Sequence, residues 1–308
     1  MSAPAHEAPA AGRHPLVSAR RSASAALWRR PWARAVVLLL PPLGWLVVLY
    51  LAALALLFVS AFWSVDSFTG DIQRVWNTAN FETIFERSTY RDIALRTVGI
   101  AAAVTVTDAV IALPFAYFMA RLAGPRTRTL LFVAVMVPLW TSYLVRVYAW
   151  RLILSKEGAL NWVLHGIGLP GASVSYSNWA MWIVFSYIWL PFMILPVYTA
   201  IERIPHSYIE ASRDLGAKGW RTTRKVVLPL ALPGVAAGSI FTFSLTLGDY
   251  ITPKLVGGTG SQFIGNVVYD SVGVSNNVPF AAAYATIPLL VMAIYLLLAR
   301  RTGAFDAL

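Results

Sequence analysis

Residues Ile204–Gly234 read IPHSYIEASRDLGAKGWRTTRKVVLPLALPG, one long polar, cation-rich stretch held between two strongly apolar runs. Ser207 followed by Glu210 has the spacing of a capping box, in which each side chain satisfies a backbone N–H that a helix start leaves open. Pro205, just ahead, stops the helix that arrives through Tyr198 and Ile201. In the short helix that follows, Ala211 and Leu215 lie four apart on one face. Gly216 ends that helix in a left-handed conformation that other residues adopt only with strain. A second amphipathic turn runs from Lys218 to Lys225, and an apolar run follows. The pattern is a compact polar elbow, helix then glycine break then helix, which a soluble protein could grip.

Composition sets the medium. With 58% hydrophobic residues, 13% charged residues and a mean hydropathy of +0.63, the 308-residue chain lies outside the range of soluble domains and reads as an all-α polytopic membrane protein. The net charge of +11 falls mostly in loops rather than on a polar soluble face, which excludes a nucleic-acid binder. No cysteine occurs, so disulfides and thiolate metal sites are excluded, and His6, His14, His165 and His206 offer no zinc spacing.

Hydropathy divides the chain into a basic tail, 1–34, and a membrane domain, 35–300. Six spans are expected at about 35–63, 93–120, 129–150, 178–201, 226–247 and 279–299, with the elbow, 205–225, between the fourth and fifth. Pro41-Pro42 delays the first regular helix to Leu43, and Pro114 and Pro233 bend theirs. Gly234 and Gly238 let another helix approach closely. The proposed inner segments carry 17 lysines and arginines against 6 on the outer side. That asymmetry puts both termini and the elbow of a multi-pass protein in the cytoplasm.

The elbow also carries a resemblance. Glu210-Ala211-Ser212, then Gly216, then Val226-Val227-Leu228-Pro229 resembles the EAA signature of ABC-importer permeases, with Ser212 and Val226 departing from an alanine and an isoleucine. GDYITPKLVGG, Gly248–Gly258, narrows the likeness to the spermidine/putrescine permeases and their relatives. The resemblance implies the type I ABC-importer permease fold and places Glu210, Ala211, Leu215, Gly216 and Ala217 against an ATP-hydrolysing subunit. It further implies a bacterial inner (cytoplasmic) membrane, two such cytoplasmic subunits, a second homologous permease and an external or periplasmic substrate-binding protein. Closure of the ATPases would then pull on the elbows and turn the pore outward.

The residues themselves show no catalytic constellation and no GxxxxGK[ST] loop, so no ATPase activity, cofactor or metal is expected in this chain. Asp108, near the middle of the second span, either draws a cationic solute or makes a buried helix-to-helix hydrogen bond, to Thr105, Thr107 or another span. Asp249 and Tyr250 either meet a polyamine through a carboxylate and an aromatic face or, in the case of Asp249, cap the turn leading to Pro253. Trp140, Tyr143 and Trp189 are further candidates for the path, and Arg146 is expected to snorkel outward. The rival reading is a membrane scaffold or sensor whose elbow recruits a soluble partner without translocation.

Overall fold

The computed structural model describes residues 31–66 and 68–301, so the tail expected over 1–34 lies outside them as far as residue 30, as does the end beyond Arg301. The chain divides into two units, 1–57 and 58–308. The first consists, where described, of most of α1 (Pro31–Ser60), an apolar helix that runs through Pro41 and Pro42. Its regular turns therefore begin at Pro31 rather than Leu43. Each proline forgoes one backbone bond, but an apolar medium penalises every further unpaired group, so the rest of the ladder is kept.

In the second unit, β1 (Ser64–Val65) and β2 (Ile72–Gln73) form an antiparallel hairpin. Asp66 closes its turn by accepting the N–H groups of Phe68 and Thr69 at 2.8 and 3.0 Å. Those bonds, that of Thr69 foremost, hold the Asp66 carboxyl below the usual carboxylate range. α2 (Ala79–Glu86) follows, and α3 (Ser88–Tyr117) continues through a π turn, Phe118–Leu122. The connection between the first two expected spans, 64–92, is thus partly regular, and the second span opens at Ser88 rather than at 93.

The third expected span, 129–150, is not one helix. α4 (Pro125–Trp140) and α5 (Tyr143–Ile153) meet at 97° across Thr141 and Ser142, both in extended conformation. Pro138 lies in the last turn of α4, and the Thr141 hydroxyl donates to its carbonyl at 2.7 Å. At 16 residues α4 is about 24 Å long, short of a hydrocarbon core of about 30 Å. A short helix, α6 (Ala159–Gly166), precedes α7 (Asn178–Glu202), which leads into α8 (His206–Asp214) of the elbow.

The fifth span begins earlier than its apolar run. α9 (Gly219–Thr222), a π turn (Thr223–Val227) and α10 (Leu228–Gly248) form one helical run of 30 residues, so the second half of the elbow is the first turns of the span itself. Leu228 N–H bonds the carbonyl of Thr223, five residues back. This wider turn lets the ladder pass Pro229, which cannot donate. A further π turn, Pro253–Gly257, leads to α11 (Ile264–Gly273) and α12 (Val278–Arg300). Among the described residues five helices are long and apolar enough to cross a membrane, and the bent α4–α5 pair makes a sixth if counted as one.

α3, α7 and α10 form the centre of the unit. Near the elbow, Ala112, Ala116 and Met119 pack with Met193, Val197, Ile201 and Ala231. At the opposite end, Ile84, Ile93, Ile264, Phe280 and Tyr284 make a second core. The expected close approach at small residues is found between α7 and α10. A Cβ on Gly234 would lie 2.5 Å from Ala200 Cβ and 2.7 Å from the Pro196 carbonyl oxygen, and one on Gly238 2.7 Å from Met193 Sδ. Gly234→Val should therefore push α7 and α10 apart and destabilise the fold by about 1–3 kcal/mol. Thermal denaturation of the detergent-solubilised protein measures it, and an unchanged midpoint would contradict the contact.

Candidate functional site

The elbow is built from the break outward. α8 starts at His206 with Pro205 as its N-cap, so Ser207 falls at the second helical position and no side-chain cap forms. The capping box expected of Ser207 and Glu210 is therefore absent, because a proline already supplies extended backbone and a helix start one residue sooner. The C-terminal end follows expectation. Gly216 has φ +77°, its N–H bonds the Arg213 carbonyl at 2.8 Å, and Ala217 N–H bonds the Ser212 carbonyl at 3.0 Å. These are the two bonds of a Schellman motif. A Cβ at Gly216 would meet nothing within 4 Å, so glycine is required there by backbone conformation rather than by space.

The two halves are tied by Ser212 Oγ and Thr222 Oγ1, 3.0 Å apart. Glu210, Ala211 and Gly216 are exposed, Ala217 is half-buried, and Leu215 stands out at 89% exposure. Tyr208, Ala211, Leu215, Ala217, Arg221 and Lys225 line a cavity of about 570 Å³ at the bend. Leu215 thus stands presented to the outside beside this open, largely apolar hollow.

Arg121, Arg126 and Arg128 are among the 17 inner-side cations whose count sets the orientation. The structure gives two of them a mechanical place. Arg121 Nη2 donates to the carbonyls of Ile201 and Ile204 at 2.6 and 2.5 Å, closing the open end of α7 where the elbow begins. Arg128 donates from Nε to the Met119 carbonyl and from Nη2 to that of Ala120, each at 3.1 Å, and its Nη1 reaches Glu202 at 3.4 Å. Tyr198 donates to the same Glu202 oxygen at 2.7 Å. The stem of the elbow is thereby stapled to the π turn that ends α3. The signal was present in the sequence as cations close to a helix C-terminus, but the partners of Arg121 are backbone groups some 80 positions away.

The path candidates separate into groups. Tyr143, Trp189 and Asp249 come together: the Tyr143 ring stacks on Trp189 at 5.8 Å and 15°, and its hydroxyl donates to Asp249 Oδ2. Asp249 also accepts from Ile251 N–H at 2.7 Å, Thr252 N–H at 3.2 Å and Thr252 Oγ1 at 3.1 Å. It thus caps the turn leading to Pro253 and ties α5 to the end of α10. Tyr250 stacks instead on Tyr269, and Trp140 stands 83% exposed at the α4–α5 break. Asp108 is fully buried, and both its oxygens lack a hydrogen-bond donor. Neither expected threonine serves it, since Thr105 donates to the Ala101 carbonyl and Thr107 accepts from Trp182 Nε1. The polar side chain facing it is Ser186 of α7, a loose contact from the neighbouring span outside ordinary hydrogen-bond geometry. Arg146 does not snorkel freely, for its Nε and Nη1 are buried without partners.

A family model for the inner membrane component of binding-protein-dependent transport systems matches residues 112–304. The chain belongs to that family. The permease is 46% identical over 294 residues to the inner membrane ABC transporter permease protein YdcU of Escherichia coli strain K12, covering 91% of this chain and 93% of that one. It is 32% identical over 206 residues to the spermidine/putrescine transport system permease protein PotB of Haemophilus influenzae, covering 66% and 71%. A bacterial ABC transporter involved in the import of the acidic polysaccharide alginate shares the fold, with a TM-score of 0.70 at 19% identity over 90% of this chain and 98% of that one. The protein is an ABC-importer permease that resembles the polyamine permeases, and the matched region contains the whole elbow.

Arg121→Met would remove the donor that joins the Ile201 and Ile204 carbonyls to the π turn, a loss on the order of 2 kcal/mol locally. Amide hydrogen exchange over residues 201–216 of the permease should then speed up roughly thirtyfold. Unchanged exchange there would show that the staple does not hold the stem.

Proposed function

We propose that this permease forms part of the translocation path of an importer for polyamines or a similar small organic cation, driven by ATP hydrolysis on partner subunits. Its elbow faces the cytoplasm, as do both termini, and docks in one of two ATPase subunits through Leu215, Ala211 and Ala217, with Glu210 at the rim. A second permease completes the path, and an external binding protein delivers the solute. The observation that carries this reading is the elbow itself: an 89% exposed leucine at a glycine-locked break, over an open hollow, at the positions of the family signature. The staple through Arg121 and Arg128 supports it, because a pull on the elbow reaches α3 without slack.

The polyamine assignment draws on the likeness to the spermidine/putrescine permease and on Asp108. A buried carboxylate served by nothing better than a loose contact with the Ser186 hydroxyl is expensive in a membrane span. It becomes favourable if α3 and α7 part during turnover and a cation meets it. The rival reading is a scaffold that only recruits a soluble partner, in which Asp108 does no more than join α3 to α7 through Ser186. Substrate-stimulated uptake separates the two readings.

The test is ATP-dependent uptake of labelled putrescine or spermidine into vesicles holding the complete importer. Gly216→Val forces a β-branched residue into left-handed backbone, a strain of about 1–2 kcal/mol. It should cut uptake about tenfold or more while ATP hydrolysis persists, and full coupled uptake would sink the elbow's role. Asp108→Asn keeps the shape of the side chain, and unchanged uptake kinetics would remove Asp108 from the path.

A further inference from the structure

At the end of α10 remote from the elbow, about 45 Å along the helical run, the chain holds one of its own cations in a small cage. The π turn Pro253–Gly257 presents Lys254, and α11 presents Tyr269 and Asp270. Lys254 Nζ lies 4.9 Å from the centre of the Tyr269 ring and 3.7 Å from Asp270 Oδ1. The Tyr269 ring is fixed by Tyr250, stacked at 4.7 Å with the planes 12° apart. Tyr250 is held in turn, since its carbonyl accepts from Asn266 Nδ2 at 2.7 Å while Asn266 Oδ1 accepts Phe263 N–H at 3.0 Å. Asn266 is itself buried. Ring and carboxylate thus sit on a braced frame, whereas the lysine side chain remains 55% exposed. Beside it opens a cavity of about 490 Å³ lined by Tyr176, Lys254, Gln262, Asn266 and Asp270.

An aromatic face next to a carboxylate is the chemistry that takes an alkylammonium group, and Lys254 carries such a group. We propose that the Tyr269–Asp270 corner is an entry site for a primary ammonium of the incoming solute, with Lys254 as a tethered occupant that the solute displaces. This rests on the cationic-solute reading above and adds a site far from the elbow, separate from Asp108. Exposed ion pairs and exposed cation–π contacts are weak, so the tethered lysine exchanges readily with a free amine. The adjoining cavity gives the rest of a diamine somewhere to lie.

The experiment is equilibrium binding of radiolabelled putrescine to the intact importer complex in lipid nanodiscs, with no external binding protein and no nucleotide. Lys254→Met vacates the cage at nearly constant bulk and should tighten binding about tenfold, the effect of removing a weak built-in competitor. Excess methylammonium should compete for that gain. Lys254→Met combined with Asp270→Asn should bind more weakly than the parent complex, and Lys254→Arg, which keeps the pair, should match it. An unchanged affinity in Lys254→Met, or a gain that survives Asp270→Asn, overturns the proposal. If methylammonium competes as expected while the parent importer takes up no polyamine, the polyamine assignment fails and the ammonium cage stands.

Discussion

The close approach of α7 and α10 at Gly234 and Gly238 is the constraint on which the elbow depends. Those two helices are its legs. In lipid there is no difference in water exposure to drive apolar helices together, so packing at short range has to hold them, and small residues permit the shortest range. With the legs fixed, the residues between Glu202 and Gly219 span a set distance. A helix that stops at Leu215 and a left-handed Gly216 satisfy it with both final backbone bonds made. Leu215 then has no place inside the fold and is presented outward.

The same economy of backbone bonds explains the staple. α7 ends ahead of Pro205, and the carbonyls around that end include those of the buried Ile201 and Ile204. Arg121 closes two of them and Arg128 closes two more on the π turn. Guanidinium suits the task because it presents several donors in a fixed plane and remains charged. The consequence is a stiff connection from the elbow to α3, the helix that carries Asp108.

Much of the fold was legible because apolar length is a strong signal: the helices at 35–60, 178–202 and 278–300 lie close to where hydropathy places them. The break at Gly216 was legible because its neighbours demand a reversal that glycine supplies. Three features were not. The right-angle turn after Trp140 depends on what α5 packs against, which Pro138 alone does not disclose. The start of the fifth span at Gly219 was hidden because its first turns are polar, and polarity says nothing of whether a helix continues. Of the path candidates, the sequence named Tyr143, Trp189 and Asp249 but could not show that they form one cluster, since the contact joins residues more than 100 positions apart. Asp249 was left between two roles, and its four hydrogen bonds show the cap.

The central claim is that Leu215 at the glycine-locked bend is gripped on the cytoplasmic side by an ATP-hydrolysing partner. Because the chain contains no cysteine, Leu215→Cys supplies a unique handle. In the assembled importer that thiol is expected to cross-link to the ATPase subunit and to be shielded from a membrane-impermeant maleimide added outside the cell. Labelling from the outside, or an importer that carries solute while Cys at this position shows no contact with the ATPase, would contradict the account.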